Sequence, residues 1–473
     1  MRKTKIICTL GPACDNDELL KEMIKNGLDC ARLNFSHGTH EEQKVRMDRV
    51  KRVREELGIP LPILLDTKGP EIRVRLFKDG KVELKKGQEF TFSADFDLVG
   101  DETKVGLTFP NLSKYVNKPG IKILADDGKM TFETVRVEGK DIVTKVLNDG
   151  VLSNRKSINI PNVVVDMPYV SEADKKDIIF GIQECVDYIA ASFVRRKEDV
   201  YEIRKLLDEY DTSGKIRIIS KIENTEGIEK MDEIIEASDG IMVARGDMGV
   251  EVSFKCLPPI QKELIRKCYE SGKIVVTATQ MLDSMQQNPR PTRAEVSDVA
   301  NAIYDGTTAI MLSGESAAGK YPVEAVTNMA QIAEFTEKNI DYTQWFYHNK
   351  YQTKNNIDAV SHATCAMAID VKAKAIVVAS ITGQTARMVS RFRCPVDIVG
   401  MTTSKRAWRK LNMSWGVTPV LSEEFESIDV MFHYALHNAK SVFKLSKGDN
   451  VVLTGGKISG KSGNTNTIRV ESV

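Results

Sequence analysis

Arg217-Ile218-Ile219-Ser220-Lys221-Ile222-Glu223-Asn224 and Gly240-Ile241-Met242-Val243-Ala244-Arg245-Gly246-Asp247-Met248-Gly249 are the two stretches from which the fold is read. Each opens as an apolar run that reads as a strand, Ile216 to Ile222 and Gly240 to Ala244, and each ends in charge. Side chains alternate along a strand, so Lys221 and Glu223 point the same way and set an ammonium beside a carboxylate at a strand's end. The second run ends in Gly246-Asp247, another carboxylate flanked by exposed backbone N–H groups. A lysine, two acids and a glycine turn can bind a divalent metal, a phosphate and a carboxylate together. The plainer alternatives are a structural ion pair for Lys221 and Glu223, and a helix cap for Asp247.

The same unit recurs outward from these two runs. Strand-like stretches fall at Lys5–Leu10, Cys30–Phe35, Pro62–Asp66, Tyr188–Phe193, Arg217–Ile222, Gly240–Ala244, Ile274–Ala278 and Thr308–Leu312. Between them lie amphipathic segments such as Asp17–Asn26, Glu41–Leu57, Asp199–Glu209, Pro259–Ser271 and Pro322–Lys338. This alternation favours an α/β fold built on a parallel (β/α)8 barrel over an open sheet. It breaks after Gly69, where short β-like runs are separated by Lys78-Asp79-Gly80-Lys81, Asp126-Asp127-Gly128-Lys129, Glu138-Gly139-Lys140 and Asn148-Asp149-Gly150. These read as hairpin turns of a small all-β module inserted after the third strand and able to act as a lid. Beyond about Asn339, strand-like runs at Ala373–Ser380, Val396–Met401, Gly416–Leu421 and Asn450–Leu453 alternate with helices and predict a separate C-terminal α/β domain. The expected domains are 1–69 with 166–340 for the barrel, 70–165 for the lid and 341–473 for the C-terminal domain.

With 473 residues, 42% hydrophobic and 28% charged, the chain is long enough for several cores. A net charge of +1, with no strongly basic domain, excludes a nucleic-acid partner held by bulk electrostatics. The basic cluster from Arg46 to Arg54 is interleaved with acids and reads as a solvated helix face. The eight cysteines include no C-x-x-C pair, so reduced thiols are expected rather than a disulfide framework or zinc site. Neither a signal peptide nor a membrane-spanning run is visible, and the expected location is cytoplasmic.

Barrel enzymes work at the C-terminal ends of their strands. Here those ends read Thr9-Leu10-Gly11-Pro12, Arg32-Leu33-Asn34-Phe35-Ser36-His37-Gly38, Asp66-Thr67-Lys68-Gly69-Pro70-Glu71-Ile72-Arg73, Lys221 with Glu223, Arg245-Gly246-Asp247, Thr277-Ala278-Thr279-Gln280-Met281 and Ser313-Gly314-Glu315. In this order, and with Asn288-Pro289-Arg290-Pro291-Thr292-Arg293-Ala294-Glu295 before the last, the chain closely resembles the pyruvate kinase family over nearly its whole length. It resembles the bacterial members without an extra C-terminal domain.

The resemblance implies transfer of a phosphoryl group from phosphoenolpyruvate to ADP. Glu223 and Asp247 would hold Mg2+ (or Mn2+), and Lys221 would stabilise the phosphoryl group in flight and the enolate. Arg32 would hold the phosphate. Gly246, Asp247 and Thr279 would receive the carboxylate, and Thr279 and Ser313 belong near the proton relay. Asn34, Ser36, Asp66 and Thr67 would form a K+ site, and Glu71 resembles the potassium-dependent members. Pro12, Asn34, His37, Arg73 and Lys156 match positions near the nucleotide. A homotetramer is implied as well. An effector site for a phosphorylated ligand would use Thr382 and Thr385, with Lys461, Ser462 and Thr465 closing over it; a plain surface turn is the rival reading.

Gly455 to Ser462 fits a Walker-type phosphate loop, but such a loop needs a following helix, whereas Asn466–Val473 reads as a strand. Four positions depart from the family pattern. Asn162 replaces a glycine, Lys230 an asparagine and Ser253 a proline, while Glu42 stands where an aromatic lines the nucleotide site in other members. Two rival functions remain at this stage. A metal-dependent barrel lyase acting on a pyruvate enolate would share the metal but need neither Arg73 nor the lid. A non-catalytic sugar-phosphate sensor would not need Lys221, Glu223, Asp247 and Thr279.

Overall fold

In the computed structural model, which describes residues 1–211, 216–349, 351, 353–456 and 465–473, eight parallel strands close a barrel. Around the barrel they run Lys5–Thr9, Ala309–Leu312, Ile274–Ala278, Gly240–Ala244, Arg217–Ile222, Tyr188–Ala191, Ile63–Asp66 and Cys30–Asn34. All eight are the runs expected from sequence. The strand period sorts their side chains into two sets. Ile7, Leu64, Ala190, Ile219, Met242, Val276 and Met311 face one another inside the barrel. Ile6, Leu33, Leu65, Ile189, Ile218 and Ile310 pack outward against the surrounding helices. The inward set continues past the apolar layers, so Thr9, Arg32, Asp66, Lys221 and Glu223 share its parity and emerge at the C-terminal mouth.

Helices begin where the sequence supplies caps. Thr39 and Glu42 form a reciprocal capping box on His40–Leu57, and Thr292 with Glu295 does the same on Arg293–Tyr304. The basic stretch on His40–Leu57 is paired off with acids and only partly solvated: half-buried Arg46 and Arg49 pair with Asp15, and exposed Arg52 pairs with Asp17.

The insert after Ile63–Asp66 is a seven-stranded sheet with a separate two-stranded ribbon, around a core that includes Phe90, Phe92 and Phe132. Two of its four turns are hairpins: Lys122–Ala125 with Met130–Glu138, and Met130–Glu138 with Asp141–Val146. The other two are not. Lys81–Leu84, which follows the turn at Asp79-Gly80, pairs instead with Gly150–Ser153 far along the chain. Turn residues favour a local reversal but do not choose the strand found after it.

The C-terminal domain is a five-stranded sheet ordered Val417–Leu421, Asp397–Thr402, Ala375–Ala379, Asn450–Gly456 and Thr465–Ser472. The last strand is antiparallel to its neighbour. Thr465–Ser472 is therefore a strand where a Walker loop would need a helix; residues 457–464 of that motif, with Lys461 and Ser462, lie outside the described residues. Among the described residues no helix is long and apolar enough to cross a membrane.

Candidate active site

The inward parity of the strands gathers a buried charged cluster at the barrel mouth. Arg32, 7% exposed, donates from Nε to Asp66 Oδ2 at 2.7 Å and from Nη1 to Thr9 Oγ1 at 2.7 Å. Lys221 donates to Ser192 Oγ at 2.8 Å and to Asp66 Oδ1 at 3.2 Å, and its Nζ stands 2.9 Å from Glu223 Oε1. That last contact is an ion pair without hydrogen-bonding alignment, because Glu223 Oε1 is buried with no hydrogen-bond partner. Glu223 Oε2 accepts the Phe193 backbone N–H at 2.5 Å.

The electrostatics follow from this crowding. Burial pushes the Glu223 carboxyl up to about 8 against the pull of Lys221, with Asp247 adding to the rise. Burial opposes the charge on Lys221, but Asp66 and Glu223 outweigh it and raise its pKa. Burial likewise acts to raise Asp66, yet Arg32 and Lys221 hold it below the usual carboxylate value. Glu223 is thus a buried carboxylate that keeps unused acceptor capacity at Oε1 beside Lys221, a property it shares with metal ligands.

Asp247 lies half-buried in the first turn of Arg245–Glu251, whose N-cap is Ala244, so Asp247 does not cap that helix. Among the described residues no group of three or more His, Cys, Asp or Glu could hold a metal. A metal on Glu223 and Asp247 would therefore complete its shell with water and substrate oxygens, a shell that suits Mg2+.

The Gly246 N–H donates to Thr279 Oγ1 at 2.8 Å, and that hydroxyl donates to Ala278 O at 2.6 Å. Thr279 and Gln280 have φ of +71° and +54°, a left-handed conformation that is costly for a β-branched residue. Arg245 clamps this turn. It reaches Ala278 O at 3.3 Å and Thr279 O at 2.6 Å, and Asp298 holds it at 2.7 Å. Ser313 is half-buried, and its N–H donates to Glu315.

Asn34 and Asp66 are register partners, which brings Asn34, Ser36, Asp66 and Thr67 to one corner. Both Asp66 oxygens face Arg32, Lys221 or Ser192, and Asn34 Oδ1 accepts the Ser36 N–H at 3.0 Å. The nucleotide candidates form two groups. Pro12 and His37 are exposed at the barrel mouth, near half-buried Asn34. Arg73 and Lys156 lie side by side in the insert, where Arg73 pairs with Glu71 at 2.7 Å and Lys156 with Asp126 at 2.8 Å. Of the effector candidates, Thr385 and Thr465 share a buried hydroxyl–hydroxyl hydrogen bond of 2.6 Å, and Thr382 is exposed.

Sequence reasoning passed over the end of the fourth barrel strand. There Ser192 bridges Lys221, Asp66 and Thr67 O, and Phe193, at φ +55°, aims its N–H at Glu223. The signal was present: Tyr188, Ala190 and Ser192 share the inward parity. Arg245 stands in the sequence only as a polar strand end.

The four departures have local explanations. Asn162 has φ +63°, and asparagine is the side chain that best tolerates this glycine conformation. Ser253 has φ −59°, close to a proline's fixed value. Lys230 pairs with Glu226, and Glu42 is occupied as a cap.

Two family models match the chain: "Pyruvate kinase, barrel domain" over residues 1–326 and "Pyruvate kinase, alpha/beta domain" over residues 358–471. The pyruvate kinase of Clostridium acetobutylicum is 48% identical over 474 residues, with all of both chains covered. That of Clostridium perfringens is 45% identical over 477 residues with the same coverage. The pyruvate kinase of Staphylococcus epidermidis is 46% identical over 476 residues, with all of this chain and 81% of the longer relative covered.

Proposed function

The chain belongs to the pyruvate kinase family and transfers the phosphoryl group of phosphoenolpyruvate to ADP, giving pyruvate and ATP; we propose that Arg32, Lys221, Glu223, Asp247 and Thr279 carry this reaction. Phosphoryl transfer asks a protein mainly for positioning and charge neutralisation. Arg32 receives the phosphoryl oxygens. Lys221 counters charge on the group in flight and then on the enolate oxygen, a task suited to a compact ammonium. The N–H groups of Gly246 and Asp247, with the Thr279 hydroxyl, orient the substrate carboxylate, and the Gly246 N–H leaves Thr279 Oγ1 to do so. Glu223 and Asp247 would hold Mg2+ or Mn2+, which when bound supplies positive charge to the phosphate and enolate oxygens. The hydroxyls of Thr279 and Ser313 relay the proton to the enolate carbon.

One observation carries this reading: Glu223 Oε1 is buried without a hydrogen-bond partner, beside Lys221 and within electrostatic reach of Asp247.

Pro12, Asn34, His37, Arg73 and Lys156 take the nucleotide, with residues 70–165 as a lid that closes over it and excludes water. On this reading ADP phosphates draw Arg73 away from Glu71 and Lys156 away from Asp126. Asn34, Ser36, Asp66 and Thr67 take K+ beside Glu71. The barrel is 1–69 with 166–340, and 341–473 carries an effector turn at Thr382 and Thr385. The protein works as a homotetramer in the cytoplasm.

A coupled assay for pyruvate tests the assignment. Lys221→Met is expected to lose kcat by a factor on the order of 10^3, and Glu223→Gln to shift activation toward higher magnesium. Wild-type turnover in Lys221→Met would remove Lys221 from the chemistry. A full rate without any monovalent cation would remove the K+ site.

A further inference from the structure

The insert returns to the barrel through residues 163–168, which carry neither helix nor strand. The side chains of Val163, Val165 and Met167 pack on the insert's own core, whereas Tyr169 is buried in the barrel's. The boundary between insert and barrel therefore falls beside Pro168. The backbone just before this boundary is shared between the two. Val165 O accepts from Arg195 Nη1 and Met167 O from Arg195 Nη2, each at 3.0 Å, while Asp166 O accepts from the Tyr115 hydroxyl of the insert at 3.0 Å. The return linker thus belongs to the insert by its side chains and to the barrel by two carbonyls.

Arg195 is a fixed post. It lies just beyond the strand Tyr188–Ala191, and Asp199 holds it from the first turn of the helix Lys197–Tyr210. Asp199, 2% exposed, accepts the Arg195 backbone N–H at 2.9 Å, Nε at 3.3 Å and Nη2 at 3.4 Å. A guanidinium gripped by a buried carboxylate presents its remaining donors at fixed spacing, and here they meet two carbonyls at once.

The polar anchor matters because packing does not fill this join. A cavity of about 240 Å3 is lined by Val163, Val165 and Met167 from the insert's side and by Phe193, Asn224 and Thr225 from the barrel's. The outgoing linker is anchored close by. The Gly69 N–H donates to Asp174 Oδ1 at 3.0 Å, and at φ +73° a Cβ on Gly69 would meet Ser192 O at 2.8 Å. The Tyr169 hydroxyl donates to the same Ser192 O at 2.9 Å. Both roots of the insert therefore meet on Ser192–Arg195, the segment whose Ser192 and Phe193 touch Lys221 and Glu223.

We propose that Arg195 is a positioning residue, the pivot about which residues 70–165 close on the nucleotide. The inference rests on the reading of this insert as a lid. With the carbonyls of Val165 and Met167 pinned, the lid turns about a fixed root and brings Arg73 and Lys156 over the barrel mouth in one orientation. Arg195 acts through these two side chains and not on the substrates. Without the pin the closed position is one among several, and reaching it costs more conformational entropy.

Steady-state kinetics and proteolysis of the full-length protein test the pivot. Arg195→Lys keeps a cation beside Asp199 but loses the fork. It is expected to raise KM for ADP and lower kcat together, so that kcat/KM for ADP falls about 10- to 100-fold, while KM for phosphoenolpyruvate changes by less than about 2-fold. Thermolysin, applied without substrates or metal, is expected to cut within residues 163–168 about 5-fold faster or more in Arg195→Lys than in wild type. In Arg195→Ala, added guanidinium ion restores part of kcat/KM for ADP and methylammonium does not; if Arg195→Ala fails to fold, Arg195→Lys decides. Lys156→Gln separates the pivot from the lid reading. If Lys156→Gln raises KM for ADP and Arg195→Lys does not, the pivot is overturned and the lid stands. If Lys156→Gln leaves KM for ADP unchanged, the lid reading falls and the pivot with it. Equal losses for both substrates in Arg195→Lys, with a lowered Tm, mark a merely structural arginine and also overturn the proposal.

Discussion

Lys221 Nζ lies 2.8 Å from Ser192 Oγ, and this hydroxyl in turn donates to Asp66 Oδ1 at 3.1 Å. The serine is the neutral partner that sets the direction of an ammonium otherwise caught between two carboxylates. Removing a hydrogen bond to a charged group costs about 1.5–3 kcal/mol. Ser192→Ala should therefore lower kcat about 10- to 100-fold with a smaller change in KM for phosphoenolpyruvate, read by steady-state kinetics.

Arg245 holds the left-handed Thr279 turn through two carbonyl oxygens while Asp298 holds Arg245. A lysine ammonium cannot span these three partners in one plane. Arg245→Lys is expected to reduce kcat about 10-fold or more through displacement of the Thr279 hydroxyl. Asp298→Asn should produce a smaller loss in the same direction. Unchanged kcat in Arg245→Lys would mean the turn holds itself.

Asn162 stands at φ +63°. Asn162→Gly should leave Tm nearly unchanged, whereas Asn162→Ala should cost about 1 kcal/mol, because a Cβ without a polar tip pays for the left-handed conformation. Calorimetric Tm values of the two variants give the comparison.

Lys410 is held down to about 7 by burial and by neighbouring arginines. Between that value and the ordinary lysine range, the unfolded chain binds a proton that the folded chain does not, so stability rises with pH across this window. The burden is largest below pH 7, where the folded protein must carry the charge. Lys410→Met should therefore raise Tm most at about pH 6, with the gain shrinking toward about pH 10. A gain independent of pH would separate Lys410 from the effect.

The eight barrel strands were legible because each is a short apolar run closed by polar residues, and the period of a strand fixes which polar residues meet. Lys221 and Glu223 are read this way, Arg32 and Asp66 only as polar strand ends whose roles the family resemblance implies, and the structure gathers all four. Ser192 and Arg245 were harder to see. One is a serine ending an otherwise apolar strand, and the other acts through backbone carbonyls that no sequence pattern displays. In the insert, turn residues marked the reversals, but the pairing of Lys81–Leu84 with Gly150–Ser153 is long-range and has no local signature. The ion pairs that occupy Arg73 and Lys156 depend on tertiary placement and were equally hidden.

Ile63–Asp66 and Tyr188–Ala191, the two barrel strands that flank the insert, pair directly with each other. Asp66 and Ser192, which meet across this seam, are 126 residues apart in the chain. Joining them carries the largest loop-closure cost among the contacts between consecutive barrel strands, so this seam forms late during folding. The Lys221 network spans that seam. Recovery of activity on refolding should accordingly lag behind recovery of helical signal, and enzyme turnover becomes a reporter of the joint beside the insert.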